Sequence, residues 1–249
     1  MQKVRIAWRG GNLLVHLLFG MLLTPLVTRR DKDGYWHVHH GTAAWWHGRL
    51  TRILALQITT SGIEPQPATL VVCNHISWLD IVVLGHLMPT CFLSKSEVRQ
   101  WPLIGWLAMR AGTLFIRRGG GEANNISQTI GRHLLHEGIL TLFPEGTTTD
   151  GRDVRPFFSR LMAAAIETRT PLTPVAIRYH LDGRLDDEVA PYIGDQSLGE
   201  NILGLLSRPG GAVHVHFGSP IEAHGMERKK LADRARMAIV EALAQSGIE

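Results

Sequence analysis

From residue 68 onward, short apolar runs alternate with segments of helical length, and that alternation leaves few folds open. The runs fall at 68–74, 90–95, 112–117, 139–143, 172–179 and 212–217, and the helical segments at 77–88, 97–109, 122–137, 158–168, 197–207 and 226–245. Strands interleaved with helices in this way predict an α/β fold, a mostly parallel sheet flanked by helices on both faces. A short proline-bearing linker, Ile63 to Pro67, precedes the first run. The expected division is therefore 1–62 for an N-terminal helical part and 63–249 for the α/β domain.

The first run ends in residues that carry chemistry. Leu70-Val71-Val72-Cys73 leads into Asn74-His75, and Ser77, followed by Asp80 and then Ile81 to Leu84, has the form of a capping box opening an apolar helix. His75 then sits at the mouth of a strand-to-helix turn, where open α/β sheets bind their ligands. On one continuous helix, positions five apart point away from each other. With His75 in the turn and Asp80 in the first helical turn, the backbone instead folds the carboxylate back onto the imidazole. Asp80 would fix the tautomer and leave the other ring nitrogen as a base toward a hydroxyl. The plainer alternative is a helix N-terminal charge beside an exposed turn histidine.

The N-terminus has a different character. Lys3, Arg5 and Arg9 precede a nearly uncharged run from Asn12 to Val27, and Arg29-Arg30 follows it. No small-residue cleavage site follows the apolar part, so a removed signal sequence is not expected. At about 1.5 Å per residue the run falls short of a hydrocarbon core of roughly 30 Å. The expectation is a helix dipping into one leaflet, with a tilted span second, and Pro25 ending or bending it. His37, His39 and His40 lie in a polar linker, and no Cys or carboxylate set completes a metal site around them. From Thr42, Trp45, Trp46, Leu50, Ile53 and Leu54 recur at helical spacing with Arg49 and Arg52 between them, the pattern of an interfacial or a core-facing helix. The formal net charge of +4 with 45% hydrophobic residues suits an anionic membrane surface, and no nucleic-acid-binding motif is present. Cys73 and Cys91 each lie in an apolar run, which fits a reducing compartment rather than a disulfide framework.

Three further blocks follow Asn74-His75-x-x-x-x-Asp80: Gly112-Thr113-Leu114-Phe115-Ile116-Arg117, Phe143-Pro144-Glu145-Gly146-Thr147 and Leu172-Thr173-Pro174-Val175-Ala176-Ile177. In this order they resemble the motifs of the glycerolipid acyltransferases, specifically the bacterial 1-acyl-sn-glycerol-3-phosphate acyltransferase family. The resemblance implies His75 and Asp80 as catalytic residues. It implies Arg117 as the glycerophosphate-binding residue, with Lys95 either near the phosphate region or a surface charge. It implies Glu145, Gly146 and Thr147 as the acceptor-binding turn, Glu145 poised for the glycerol hydroxyl or for a salt bridge orienting Arg117, with an amide near the glycine available to the thioester oxygen. It also implies transfer of a fatty acyl group, from acyl-CoA or acyl-acyl carrier protein as co-substrate, to 1-acyl-sn-glycerol-3-phosphate, giving phosphatidic acid. No metal or other cofactor is expected. The N-terminal helices would form a hairpin docking on membrane lipid at the cytoplasmic face of the inner membrane, with lysolipid and the acyl carrier as partners and no nucleic acid. One departure matters: where family members often carry Phe-Lys-x-Gly, this chain has Phe158-Ser159-Arg160-Leu161. With Tyr192-Ile193-Gly194-Asp195-Gln196-Ser197-Leu198, that variant is similar to relatives acylating lyso-ornithine lipid, the alternative acceptor. A lipid hydrolase would need a nucleophile or a metal, and no Gly-x-Ser-x-Gly is present. A non-catalytic membrane adaptor would have no use for the His75–Asp80 pair.

Overall fold

A computed structural model describes residues 1–249 apart from 33, 35, 117–122, 137 and 246–249. The N-terminal part consists of α1 (Gln2–Val27), a ribbon of β1 (Thr28–Arg30) and β2 (Trp36–Val38), and α2 (His40–Ile53). There follow β3 (Leu56–Gly62), β4 (Thr69–Cys73), α3 (Leu79–Leu87), β5 (Thr90–Lys95), α4 (Ile104–Arg110), β6 (Leu114–Ile116), α5 (Ala123–Leu135) and β7 (Ile139–Leu142). The chain closes with α6 (Ala163–Thr168), β8 (Leu172–Leu181), β9 (Arg184–Leu185), α7 (Leu198–Ser207), β10 (Gly211–Phe217) and α8 (Arg228–Gln245).

The main sheet runs in the order β3-β10-β8-β4-β7-β5-β6, with β9 paired to β8. Strands β8, β4, β7, β5 and β6 are mutually parallel. β10 runs antiparallel to β8 and carries β3 parallel to itself. The expected mostly parallel sheet is therefore present, with an antiparallel flank on one side. β4 is buried along its whole length, because its alternating side chains serve two cores. Val71 and Cys73 pack with Val83, Ile177 and Val213 on one face, and Leu70 and Val72 pack with Leu140, Met162 and Leu231 on the other. The C-terminal ends of β4, β7, β5 and β6 share one edge, and His75, Glu145 and Lys95 all stand there.

β3 lies on the N-terminal side of the boundary expected at residue 63, yet it is an edge strand of the sheet, with Leu56 opposite Gly211 and Gly62 opposite Phe217. Only Leu56 and Ile58 of this strand pack on the core, so its apolar signal is too short to separate it from a linker by pattern alone.

α1 and α2 form the expected two-helix hairpin, and it is fastened to the domain along its length. Arg5 Nη1 donates to Ser207 O at 2.7 Å, and Arg9 donates to Arg208 O at 2.7 Å and Pro209 O at 2.8 Å. These carbonyls end α7, where a helix leaves acceptors without partners. In the middle of α1, His16 stacks on Trp46 of α2, with ring centroids 4.5 Å apart. Gly20 permits this approach, since a Cβ there would lie 2.9 Å from Trp46 Nε1. At the far end, the Arg110 guanidinium of α4 sits 3.7 Å over the Trp36 ring. α1 continues through Pro25 and ends at Val27. Its outer face carries Trp8, Leu22 and Leu26, at 74%, 75% and 83% exposure.

His47, on the face of α2 turned to α3, packs on Gly85 and has a buried Nδ1 without a hydrogen-bond partner. Burial first, and then the neighbouring His86 and His16, lower its pKa to about 4. A histidine in the unfolded chain titrates near 6.5, so the unfolded state takes up a proton that the folded site refuses. Stability is then full above about pH 6.5 and falls as the pH drops toward about 4. His16 is likewise lowered to about 4 by its burial and adds to the same slope. Scanning calorimetry in detergent should find a lower Tm at about pH 5 than at pH 7, and His47→Asn should lessen that difference.

Candidate active site

The site is built where β4 runs out. Asn74, 2% exposed, pairs with β8 through its side chain: Nδ2 donates to Ile177 O at 2.9 Å, and Ile177 N donates to Oδ1 at 2.8 Å. This pins the last residue before His75 to the neighbouring strand, and the turn begins from a fixed point. His75 Nδ1 then lies 2.7 Å from Asp80 Oδ2. The same oxygen accepts from Ile76 N at 2.8 Å and Ser77 N at 3.0 Å, while Tyr179 donates its hydroxyl to Oδ1 at 2.8 Å. An oxygen already facing two amide donors has room only for a donor from the ring, so the proton is on Nδ1. Nε2 is left as a base, on a side chain that is 18% exposed.

The helix start differs in detail from the expected capping box. α3 begins at Leu79 with Trp78 as its N-cap and no side-chain cap. Asp80 does reach back to the Ser77 amide, but Ser77 Oγ is buried without a partner. Asp80 is turned toward the histidine instead of serving the helix alone, and the reciprocal half of the box is lost. The imidazole is also stacked on Phe143, with centroids 4.0 Å apart and 16° between the planes, and Phe92 stacks behind Phe143 at 6.3 Å. Sequence reasoning passed over Tyr179, and Phe143, though part of the third block, was given no role of its own. A tyrosine in an otherwise apolar buried strand needs a partner for its hydroxyl, and that was the available signal for Tyr179.

Glu145, 4% exposed, turns both carboxylate oxygens to backbone amides. Its Oε1 accepts from His75 N at 2.7 Å and its Oε2 from Arg155 N at 2.8 Å. Burial pushes this carboxyl up, and the two amides oppose the shift. It holds two loops together and sets the path of the His75 backbone. Gly146 has φ of +70°, and its own amide closes the turn onto Phe143 O at 3.0 Å. Thr147 is exposed at the tip of this turn. Lys95, exposed at the end of β5, stands opposite Ile116, two strand spacings or about 10 Å across the edge from β4. Arg117 lies outside the described residues. Among the described residues no group of three His, Cys, Asp or Glu is placed to hold a metal. Cys73, one position before Asn74, is fully buried, and burial raises its thiol well above the usual range, which leaves it unsuited to nucleophilic work.

Beside the turn lies a cavity of about 1040 Å³ between the N-terminal hairpin and the sheet. Leu13, Leu17 and Leu23 of α1, Trp46 of α2, Trp78 and Ile81 at α3, and Leu198 and Ile202 of α7 contribute to its walls. Phe92 is in the lining while His75 is not, and the stacked Phe92 and Phe143 rings stand between the cavity and the imidazole. A base held in one tautomer can take a proton from the hydroxyl of an amphiphile, and an apolar cavity of this size nearby has room for such a molecule's chain.

Comparison with known proteins agrees with this chemistry. A family model described as "Acyltransferase" matches residues 57–178. The chain is similar to a lyso-ornithine lipid O-acyltransferase of Pseudomonas aeruginosa, 42% identical over 98% of this chain and 95% of the relative. It is similar to a protein of the same name from Rhodobacter capsulatus, 31% identical over 97% and 91%. It is also similar to a 1-acyl-sn-glycerol-3-phosphate acyltransferase of Neisseria gonorrhoeae, 31% identical over 51% and 50%. Among solved structures, the 1-acyl-sn-glycerophosphate (LPA) acyltransferase PlsC of Thermotoga maritima shares the fold, with a TM-score of 0.71 at 17% identity, over 99% of this chain and 98% of that one.

Two substitutions separate the charge of Asp80 from its hydrogen bonds. In Asp80→Asn the amide oxygen can take the three N–H donors and the NH₂ can donate to Tyr179, whose hydroxyl turns to accept. The protein should fold with a Tm close to wild type while turnover falls by roughly 10³-fold or more, as when the acid of a His–acid pair is neutralised. Tyr179→Phe leaves a buried oxygen short of its donor and should cost about 1–3 kcal/mol in chemical denaturation.

Proposed function

The chain belongs to the acyltransferase family, and from that premise we propose that it transfers a fatty acyl group from a thioester donor to the free hydroxyl of lyso-ornithine lipid. The enzyme is an O-acyltransferase, and lysolipids are the acceptors named for its relatives. The observation that carries the reaction type is the Nδ1-bound dyad, which leaves His75 Nε2 as the base. Nε2 takes the acceptor's hydroxyl proton as that oxygen attacks the thioester carbonyl. Asp80 stabilises the imidazolium. As the tetrahedral intermediate collapses, the C–S bond breaks and the departing thiolate takes the proton back. A positioned base of this kind contributes about 10² to 10⁴ in rate, and holding two amphiphiles side by side supplies much of the rest.

The choice of acceptor rests on degree of likeness. A relative named for lyso-ornithine lipid is 42% identical over 98% of this chain, whereas the Neisseria relative named for 1-acyl-sn-glycerol-3-phosphate is 31% identical over about half of it and one of Cocos nucifera is 29% identical over 93%. The absence of Phe-Lys-x-Gly at 158–161 favours the same acceptor. 1-Acyl-sn-glycerol-3-phosphate, the acceptor first implied by the motifs, is the second reading, supported by that matching half and by Lys95 at the sheet edge. The donor is acyl-CoA or acyl-acyl carrier protein. The cavity between hairpin and sheet is suited to an acyl chain. We place the enzyme on the cytoplasmic face of the inner membrane, with α1 lying in the plane of one leaflet. Both ends of α1 are bound to the catalytic domain, and a helix crossing the bilayer would have to leave it.

The test uses membranes enriched in the full chain, each labelled donor in a separate arm, and lyso-ornithine lipid and lysophosphatidic acid as acceptors. Label should enter the ornithine lipid faster, and His75→Ala should lose about 10² to 10⁴ in rate while its vesicle association is unchanged. Faster labelling of phosphatidic acid would reverse the choice of acceptor, and activity retained in His75→Ala would remove the mechanism.

A further inference from the structure

Asn201, in the middle of α7, is 1% exposed and yet does no work for its own helix. The helix is started by a complete capping box of Ser197 and Glu200, and its last carbonyls are taken by Arg5 and Arg9. The Asn201 side chain instead bonds outward. Its Oδ1 accepts from Trp78 Nε1 at 2.8 Å. Its Nδ2 faces Val189 O at 3.0 Å, Pro191 O at 2.9 Å and Gln196 Oε1 at 3.1 Å. A buried amide is costly unless its partners are in place, and the neighbouring Ile202, Leu205 and Leu206 show that this face of α7 otherwise takes apolar residues.

Both groups of partners bear on the dyad. Trp78 stands between His75 and Asp80 in sequence, is the N-cap of α3, and has its ring in the cavity wall. The segment that begins at Val189 lies over the turn: Tyr192 N donates to Ile76 O at 3.0 Å, and Thr148 Oγ1 donates to Tyr192 O. We propose that Asn201 is a positioning residue for acyl transfer. Through Trp78 on one side and the 189–196 segment on the other, it clamps the short piece of backbone that carries His75. The part of the cavity wall formed by Trp78 is fixed by the same clamp. The inference rests on the acyl-transfer reading above.

The experiment measures kcat, acceptor KM and Tm for the full chain in detergent, with wild type, His75→Ala, Trp78→Phe, Asn201→Leu and the Trp78→Phe/Asn201→Leu double variant. A misplacement of about 1 Å can cost up to about 10²-fold in rate. The expected result is that Trp78→Phe lowers kcat about tenfold with acceptor KM within about twofold. Asn201→Leu should lower kcat at least as far, and the double variant should be no worse than Asn201→Leu, because both remove the same hydrogen bond. Should Asn201→Leu fail to fold, Trp78→Phe decides alone. Wild-type kcat in folded Trp78→Phe, or losses that multiply in the double variant, overturns the clamp while leaving acyl transfer intact. Absence of any His75-dependent transfer by wild type overturns both readings.

Discussion

The site depends on one carboxylate that water does not reach. Asp80 is 0% exposed, and an isolated carboxylate in such a place costs several kcal/mol. It is tolerated because donors converge on it: the His75 ring, the amides of Ile76 and Ser77, and the Tyr179 hydroxyl. Two of these donors belong to the backbone immediately after His75. The charge that orients the imidazole therefore also dictates the path of the turn, and chain and ring cannot be placed independently. Stability and catalysis share the same hydrogen bonds.

A second carboxylate repeats the device from the other side. Glu145, at the end of β7, takes the amides of His75 and Arg155, while Thr149 N donates to His75 O at 2.8 Å. The peptide units on both sides of the His75 Cα are thus held by groups from a neighbouring strand end, and Phe143 from that same strand end fixes the ring plane. This arrangement provides a rigid base, which suits the proposed direct transfer, a reaction that relies on placement.

The parallel layout was legible because β4, β5, β7 and β8 are compact apolar runs that fall close to where the sequence shows them, although the helices after β5 and β7 are shorter than the segments expected there, Ile104–Arg110 and Ala163–Thr168. The dyad was legible for a related reason: His75 and Asp80 are local in sequence, so their meeting needs only one turn. What escaped the sequence is non-local. Tyr179 reaches Asp80 across β8, and Asn74 ties β4 to β8, through contacts between residues about a hundred positions apart. Glu145 was legible as a polar residue at a strand end, but its oxygens face inward to amides, and a motif cannot show the direction of a side chain. β3 was assigned to the N-terminal helical part because it finds its partner, β10, only near the end of the chain.

α1 explains why the N-terminal hairpin is part of the enzyme and no mere attachment. The helix is apolar on two faces, a pattern that belongs to a helix buried on all sides. Its inner face roofs the cavity with Leu13, Leu17 and Leu23, and its outer face leaves Trp8 and Leu22 in contact with solvent. An exposed apolar strip of this length is unfavourable in water and is relieved when lipid covers it. Leu26 belongs to both faces, lining the cavity while 83% exposed. On the proposed reading, an acyl chain passing from the leaflet toward His75 moves over this residue from one apolar surface to another, so the helix that would seat the enzyme on lipid is also the wall along which substrate enters.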